Sequence, residues 1–162
     1  MPVTTDILAS WRRPRAVMRR HLAAGVREDR ALGYLMLAMG VIFVAQWPRL
    51  SREAFFAPEV PFEARLSGAL LAIVFLAPLF FYALAAVAHL AARAAGGRGS
   101  FFGARMALFW ALLAVSPAML LQGLVAGFIG PGPAQTVVGL AVLAAFLMIW
   151  GAGLWAAEFE RK

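Results

Sequence analysis

The sequence predicts an all-α polytopic membrane protein: a bundle of four transmembrane helices led by an amphipathic interfacial segment. Three observations predict it. The chain contains uncharged runs long enough to cross a bilayer, its composition is too apolar for water, and its arginines are biased to one side of those runs. The longest run, residues 66–92, is 27 residues without a formal charge between Arg65 and Arg93. As a helix rising ~1.5 Å per residue it is ~40 Å long, against a hydrocarbon core of ~30 Å. Hydrophobic residues make up 63% of the chain and charged residues 14%, whereas soluble domains carry about 45–50% and about 25%.

Residues 1–30 carry seven arginines, at 12, 13, 15, 19, 20, 27 and 30. Ile7, Trp11, Met18 and Leu22 recur at helical spacing, with Pro14 suited to the first turn of a second short helix. Trp11 flanked by Arg12, Arg13, Arg15, Arg19 and Arg20 fits a segment lying on an anionic lipid surface. The plainer reading is a solvated basic tail that helps to set topology.

Residues 31–47 form the first expected span, with Tyr34 and Trp47 suited to its two interfaces. Residues 48–65 read as a surface-skimming connector, because Pro48, Pro58 and Pro61 discourage a long helix. Residues 66–92 are the second span, and the Gly-rich segment after it contains Gly96-Gly-Arg-Gly99. Residues 106–129 are the third span, with Ser116-Pro117 expected to bend it. Gly130-Pro-Gly-Pro133 then forces a tight hairpin into the fourth span, residues 134–157, and residues 158–162 form a charged tail.

With the N-terminus inside, twelve Lys/Arg lie on the inner side of the spans and three on the outer side. The positive-inside rule therefore places both termini in the cytoplasm of a multi-pass inner (plasma) membrane protein. The net charge of +7 is explained by this bias, so nucleic acid is not the expected partner.

Several kinds of chemistry are excluded or disfavoured. With no cysteine, thiolate catalysis, disulfides and Cys-based metal sites are impossible. No P-loop, Gly-x-Ser-x-Gly or His-Glu-x-x-His motif occurs, so neither a cofactor nor an enzymatic activity is expected. The spans hold no Asp, Glu, Lys or Arg away from their ends, which weakens a pump or ion-coupled transporter. His89 has no acidic or metal-ligating neighbour at i+3 or i+4, so it is expected to be an interfacial histidine bonded to a carbonyl or headgroup rather than a metal ligand. Ser116 and Gln122, beside Pro117, are expected to bond a neighbouring helix or to line a groove. Gly123 and Gly127 match the small-xxx-small pattern of close helix approach, within the bundle or in a homo-oligomer.

The lead Ile7-Leu-Ala-Ser-Trp-Arg-Arg-Pro-Arg15, the proline in the second span, Ser116-Pro117 and the Gly130–Pro133 hairpin together form a layout. Over residues 7–157 it resembles bacterial members of the YIP (Ypt/Rab-interacting protein) membrane-domain family. That family is usually described with five membrane helices, against four clear spans here. Its eukaryotic relatives are linked to small-GTPase binding and vesicle traffic. The resemblance implies a non-enzymatic membrane scaffold or interaction partner, whose contacts are the phospholipid bilayer, anionic lipid and an unknown membrane protein. The alternative is a facilitator or small channel for an uncharged or lipid-like molecule.

Overall fold

The computed structural model describes residues 2–160; Met1 and the tail residues Arg161 and Lys162 lie outside the described residues. Two short helices, α1 (Val3–Ser10) and α2 (Pro14–Ala23), lead into α3 (Glu28–Phe56). Then come α4 (Phe62–Leu70), a π-helical stretch (Leu71–Leu76) and α5 (Ala77–Ala94), which form one rod, followed by α6 (Phe101–Phe128) and α7 (Pro133–Glu158). Four helices are long and apolar enough to cross a membrane: Glu28–Phe56, Phe62–Ala94, Phe101–Phe128 and Pro133–Glu158.

Helix α6 is the axis of the bundle. From Phe102 to Ser116 every side chain but Arg105 is buried, as expected of a helix apolar on all faces. Helix α3 runs parallel to it: Tyr34 packs on Trp110 at a ring separation of 5.0 Å, and further along Gly123 meets Ala45 and Gly127 meets Pro48. Helix α7 runs antiparallel, with Ala157 over Gly103, Gly153 over Ala107 and Gly139 beside the Gln122 amide. Helix α5 is also antiparallel to α6, Tyr82 packing on Phe109 and His89 on Phe101. Glu28, the 95–100 loop and Glu158 thus share one end, called here the near end.

Two prolines sit inside helices rather than ending them. Helix α3 does not stop at Trp47 but continues through Pro48 to Phe56, because α6 presents a glycine, Gly127, to the proline ring. In α6 the helix is unbroken through Pro117. A third proline, Pro78, follows the π-helical stretch. Its ring conflicts with the carbonyl of Val74 four residues earlier, and a wider turn at that point relieves the clash. Large apolar side chains of this rod, among them Phe75, Leu79, Phe80 and Val87, are exposed, a face that lipid solvates and water does not.

The chain reverses between α1 and α2 and packs along the first half of α6. Val17 and Met18 are buried, Met18 lying against Gly153 and Ala107. Trp110 Nε1 donates to Ser10 Oγ at 2.8 Å, and Ser10 Oγ donates to the Asp6 carbonyl at 2.7 Å. The apolar side of the lead segment is therefore covered by α6 and α7, not by lipid.

Candidate functional site

The outer side of the α1–α2 hairpin is basic. Arg12, Arg13, Arg15, Arg19 and Arg20 are all exposed. Arg20 bonds Asp6 at 2.8 Å, Arg19 pairs with Glu160 at 3.4 Å, and the Arg15 guanidinium lies 6.0 Å from the Trp155 ring. At the reversal Trp11 is part-exposed while its Nε1 donates to the Ala114 carbonyl at 3.1 Å. This indole is thus a peg in the bundle as well as a surface aromatic. Behind the hairpin His21 is buried against Tyr34 and Trp110, its Nε2 4.0 Å from Asp6.

Burial pushes the His21 imidazole below its ordinary value of 6.5, assisted by Arg30 and Arg20 and opposed by Asp6. The unfolded chain then takes up a proton before the folded one does, so this contribution to stability is present above pH 6.5 and falls as the medium is acidified. Proteolysis at the α2 arginines is expected to speed up below that pH, and a His21→Phe variant is expected to lose the dependence.

His89 is fully buried, and its Nδ1 meets Glu158 Oε1 at 2.6 Å. The second carboxylate oxygen accepts from Gly99 N at 3.1 Å, and the Glu158 carbonyl accepts from Arg98 N at 2.7 Å. One residue thus ties the end of α5, the following loop and the end of α7 together. The histidine's partner is a carboxylate 69 positions away rather than a carbonyl or headgroup. A cavity of about 510 Å³ opens beside the tie, lined by Leu22, Val26, Arg98 and Ser100.

The Yip1 domain family model matches residues 8–162. The chain belongs to the Yip1 domain family. No curated protein and no solved structure matches it. The family is non-enzymatic, and among the described residues no group of three or more His, Asp or Glu is placed to hold a metal ion.

The polar residues of the third span have separate fates in this Yip1 domain. Pro117 has no N–H, which would orphan the carbonyl of Leu113 four residues earlier. Ser116 Oγ donates to that same carbonyl at 2.8 Å, in a fully buried position. The serine repairs the break made by its neighbour instead of bonding another helix. Ser116→Ala is expected to cost about 1–3 kcal/mol, the penalty for a buried unpaired carbonyl, measured as a drop in unfolding free energy in detergent. Ser116→Thr keeps the hydroxyl and should recover most of it.

Gln122 behaves differently. With Gln46, Arg49 and Gln135 it lines a groove of about 330 Å³ in the half of the bundle away from the near end. Arg49 is held there by Gln46 Oε1 at 3.0–3.1 Å and by Glu53 at 2.5 Å. Gly123 and Gly127 do not contribute to this polar surface. A Cβ on either would run into the α3 backbone at Ala45 or Pro48, so the small-xxx-small pair is occupied by contacts within the chain.

Proposed function

We propose that this Yip1-domain protein is a non-enzymatic scaffold or interaction partner in membrane organisation, held in a bacterial inner membrane with both ends in the cytoplasm. The observation that carries this reading is the closed first half of α6, where every side chain from Phe102 to Ser116 except Arg105 is buried. What is left for recognition is the surface: the apolar α4–α5 face and the basic hairpin. Yip1 proteins are membrane trafficking factors, a role that works through such surfaces. The arginine distribution supports the orientation. Isolation of the full chain in mild detergent, with identification of bound proteins and lipids, tests the reading. A defined protein or anionic lipid is expected to co-purify, and a chain always recovered alone would sink the proposal.

The Gln122 groove favours a second reading, a facilitator for an uncharged or lipid-like molecule. The groove would serve as one half of a path whose other half is closed by Phe109, Trp110 and Leu113. Flux into liposomes that falls with Gln122→Ala would support it. Flux indifferent to that change removes it.

A further inference from the structure

The α1–α2 hairpin fills only the near half of the space between α3 and α7. There His21 packs on Tyr34 of α3 and Met18 lies on Gly153 of α7. The hairpin turns at Trp11, whose indole reaches the Ala114 carbonyl. Beyond that point the space is open. Two grooves of about 330 and 560 Å³ share Arg49, Ala126 and Gln135, and so form one cleft walled by α3 and α7 and floored by α6. No residue of the hairpin, α4 or α5 lines it.

Polar groups climb this cleft in steps. Gln122 is deepest, eight residues before Gly130, which is ~12 Å along the helix, and its amide lies beside Gly139. Gln135 precedes Gly139 by four residues, about one turn closer to the far end. On α3, Ala45 abuts Gly123, Arg49 follows it by four residues, and Arg52 donates at the rim to the Gly127 carbonyl at 3.3 Å. One turn deeper than these groups the walls are apolar, with Met119 on α6 and Ile42 on α3.

The deeper polar steps lack partners. Neither Gln122 nor Gln135 forms a hydrogen bond among the described residues. In hydrocarbon no water replaces such bonds, so a bare amide is costly there. At the rim Glu53 is taken by Arg49 and Arg65. Arg52 has no carboxylate within ion-pair distance among the described residues, and its guanidinium lies 4.9 Å from the Phe56 ring.

We infer that the cleft holds one phospholipid of the far leaflet. Its phosphate sits on Arg52, its ester carbonyls accept from the Gln122 and Gln135 amides, and an acyl chain runs on past Met119 and Ile42. From surface to interior a phospholipid presents an anion, then hydrogen-bond acceptors, then hydrocarbon, which is the complement of the cleft in the same order. A guanidinium suits a phosphate because it can offer two parallel N–H donors, and an amide NH2 supplies two donors for ester oxygens. Water would satisfy the amides but leave Met119 and Ile42 wet, and a bare phosphate would reach Arg52 but not Gln122. The lipid thus completes in the far half the packing that the hairpin provides in the near half. The inference rests on the four helices spanning a bilayer and on the Gln122 groove of the second reading, but not on transport. A resident lipid, a flux through the cleft and co-purification of a protein are separate results.

The test uses the full chain purified in dodecyl maltoside with a trace of phosphatidylglycerol carrying a diazirine in its acyl chain. Labelled positions are mapped after irradiation. Leu71 and Phe75, exposed on the α4–α5 rod, report casual contact. They lie at a depth similar to Met119, because the rod runs antiparallel to α6 from the Tyr82–Phe109 contact.

Met119 and Ile42 are expected to be labelled several-fold more heavily than Leu71 and Phe75. The excess should disappear when Gln122→Leu and Gln135→Leu are combined, a change that removes no hydrogen bond within the chain. Equal labelling in the native chain overturns the inference, and so does an excess that survives the double change. A diacylglycerol probe with the same diazirine should show little excess; an equal one means that Arg52 reads no phosphate, which also overturns it. Excess inorganic phosphate should leave the pattern unchanged. Loss of the excess in its presence would make free phosphate the occupant and overturn the inference as well.

Discussion

Gly123→Ala is expected to be among the most damaging single-methyl additions in the chain. Helices α3 and α6 approach backbone to backbone here, and the new Cβ would fall on the Ala45 carbonyl. A carbonyl in a continuous helix cannot swing away as a flexible side chain does, so the whole of α3 must shift. Overpacking of this kind costs about 1–3 kcal/mol, and the upper end is expected because the obstacle is main chain. Gly127→Ala meets Pro48 in the same seam and should cost a similar amount. The two lie one helical turn apart, so a seam already opened by one suffers less from the other, and the double variant should lose less than the sum. Gly33, Gly40 and Gly151 are helical glycines with nothing near a built Cβ. Alanine at any of them should stabilise by about 0.5–1 kcal/mol through helix propensity alone. Equilibrium unfolding in one detergent separates the two classes by sign. Stabilisation by Gly123→Ala would show that α3 and α6 are not in contact at that point.

That seam shows how far the residue pattern reaches. Gly123-Leu-Val-Ala-Gly127 announces a close helix approach, but not which helix approaches, because the partner backbone at Ala45 and Pro48 is about 80 positions away. The four long helices were legible because lack of charge over a spanning length is a local property that lipid imposes on every segment. Pro48 and Pro117 were harder. Proline disfavours a helix locally, yet tertiary packing at Gly127 and a serine hydroxyl at Ser116 accommodate both rings. The Ser116 arrangement has a local signature: a hydroxyl one residue before a helical proline sits three residues after the carbonyl the proline orphans. The pairing of His89 with Glu158 had none. Glu158 reads as the first residue of a polar tail, and a contact over 69 positions leaves no periodic trace. The hairpin lead was legible in composition, its arginines outward and its apolar residues together. That α6 and α7 would cover those apolar residues depended on Ser10 and Trp110 meeting, which spacing cannot show.

Glu158→Ala should produce the other large loss. Both partners of the His89–Glu158 pair have side chains at most 2% exposed. Removing one member of a buried pair leaves the other without its compensating group, typically at about 3–5 kcal/mol. Here the cost has two parts, because Glu158 Oε2 also accepts from Gly99 N and that N–H loses its acceptor. Glu158→Gln retains an oxygen for one of these donors and the size of the side chain, so it should lose distinctly less. His89→Ala on its own strands the carboxylate, while His89→Ala combined with Glu158→Ala removes both polar groups. The double variant should therefore cost less than the two single changes together, the mark of direct coupling. Stability does not by itself locate the damage, but trypsin does. Arg98 follows the Gly96–Gly97 pair, and its N–H is held by the Glu158 carbonyl. When the carboxylate that anchors Gly99 is gone, cleavage after Arg98 should accelerate well before cleavage within α6. Unchanged cutting at Arg98 in Glu158→Ala would mean that the loop is held by its own backbone bonds, such as Gly97 N to Ala92 O at 2.8 Å, and that the His89–Glu158 contact joins α5 to α7 alone.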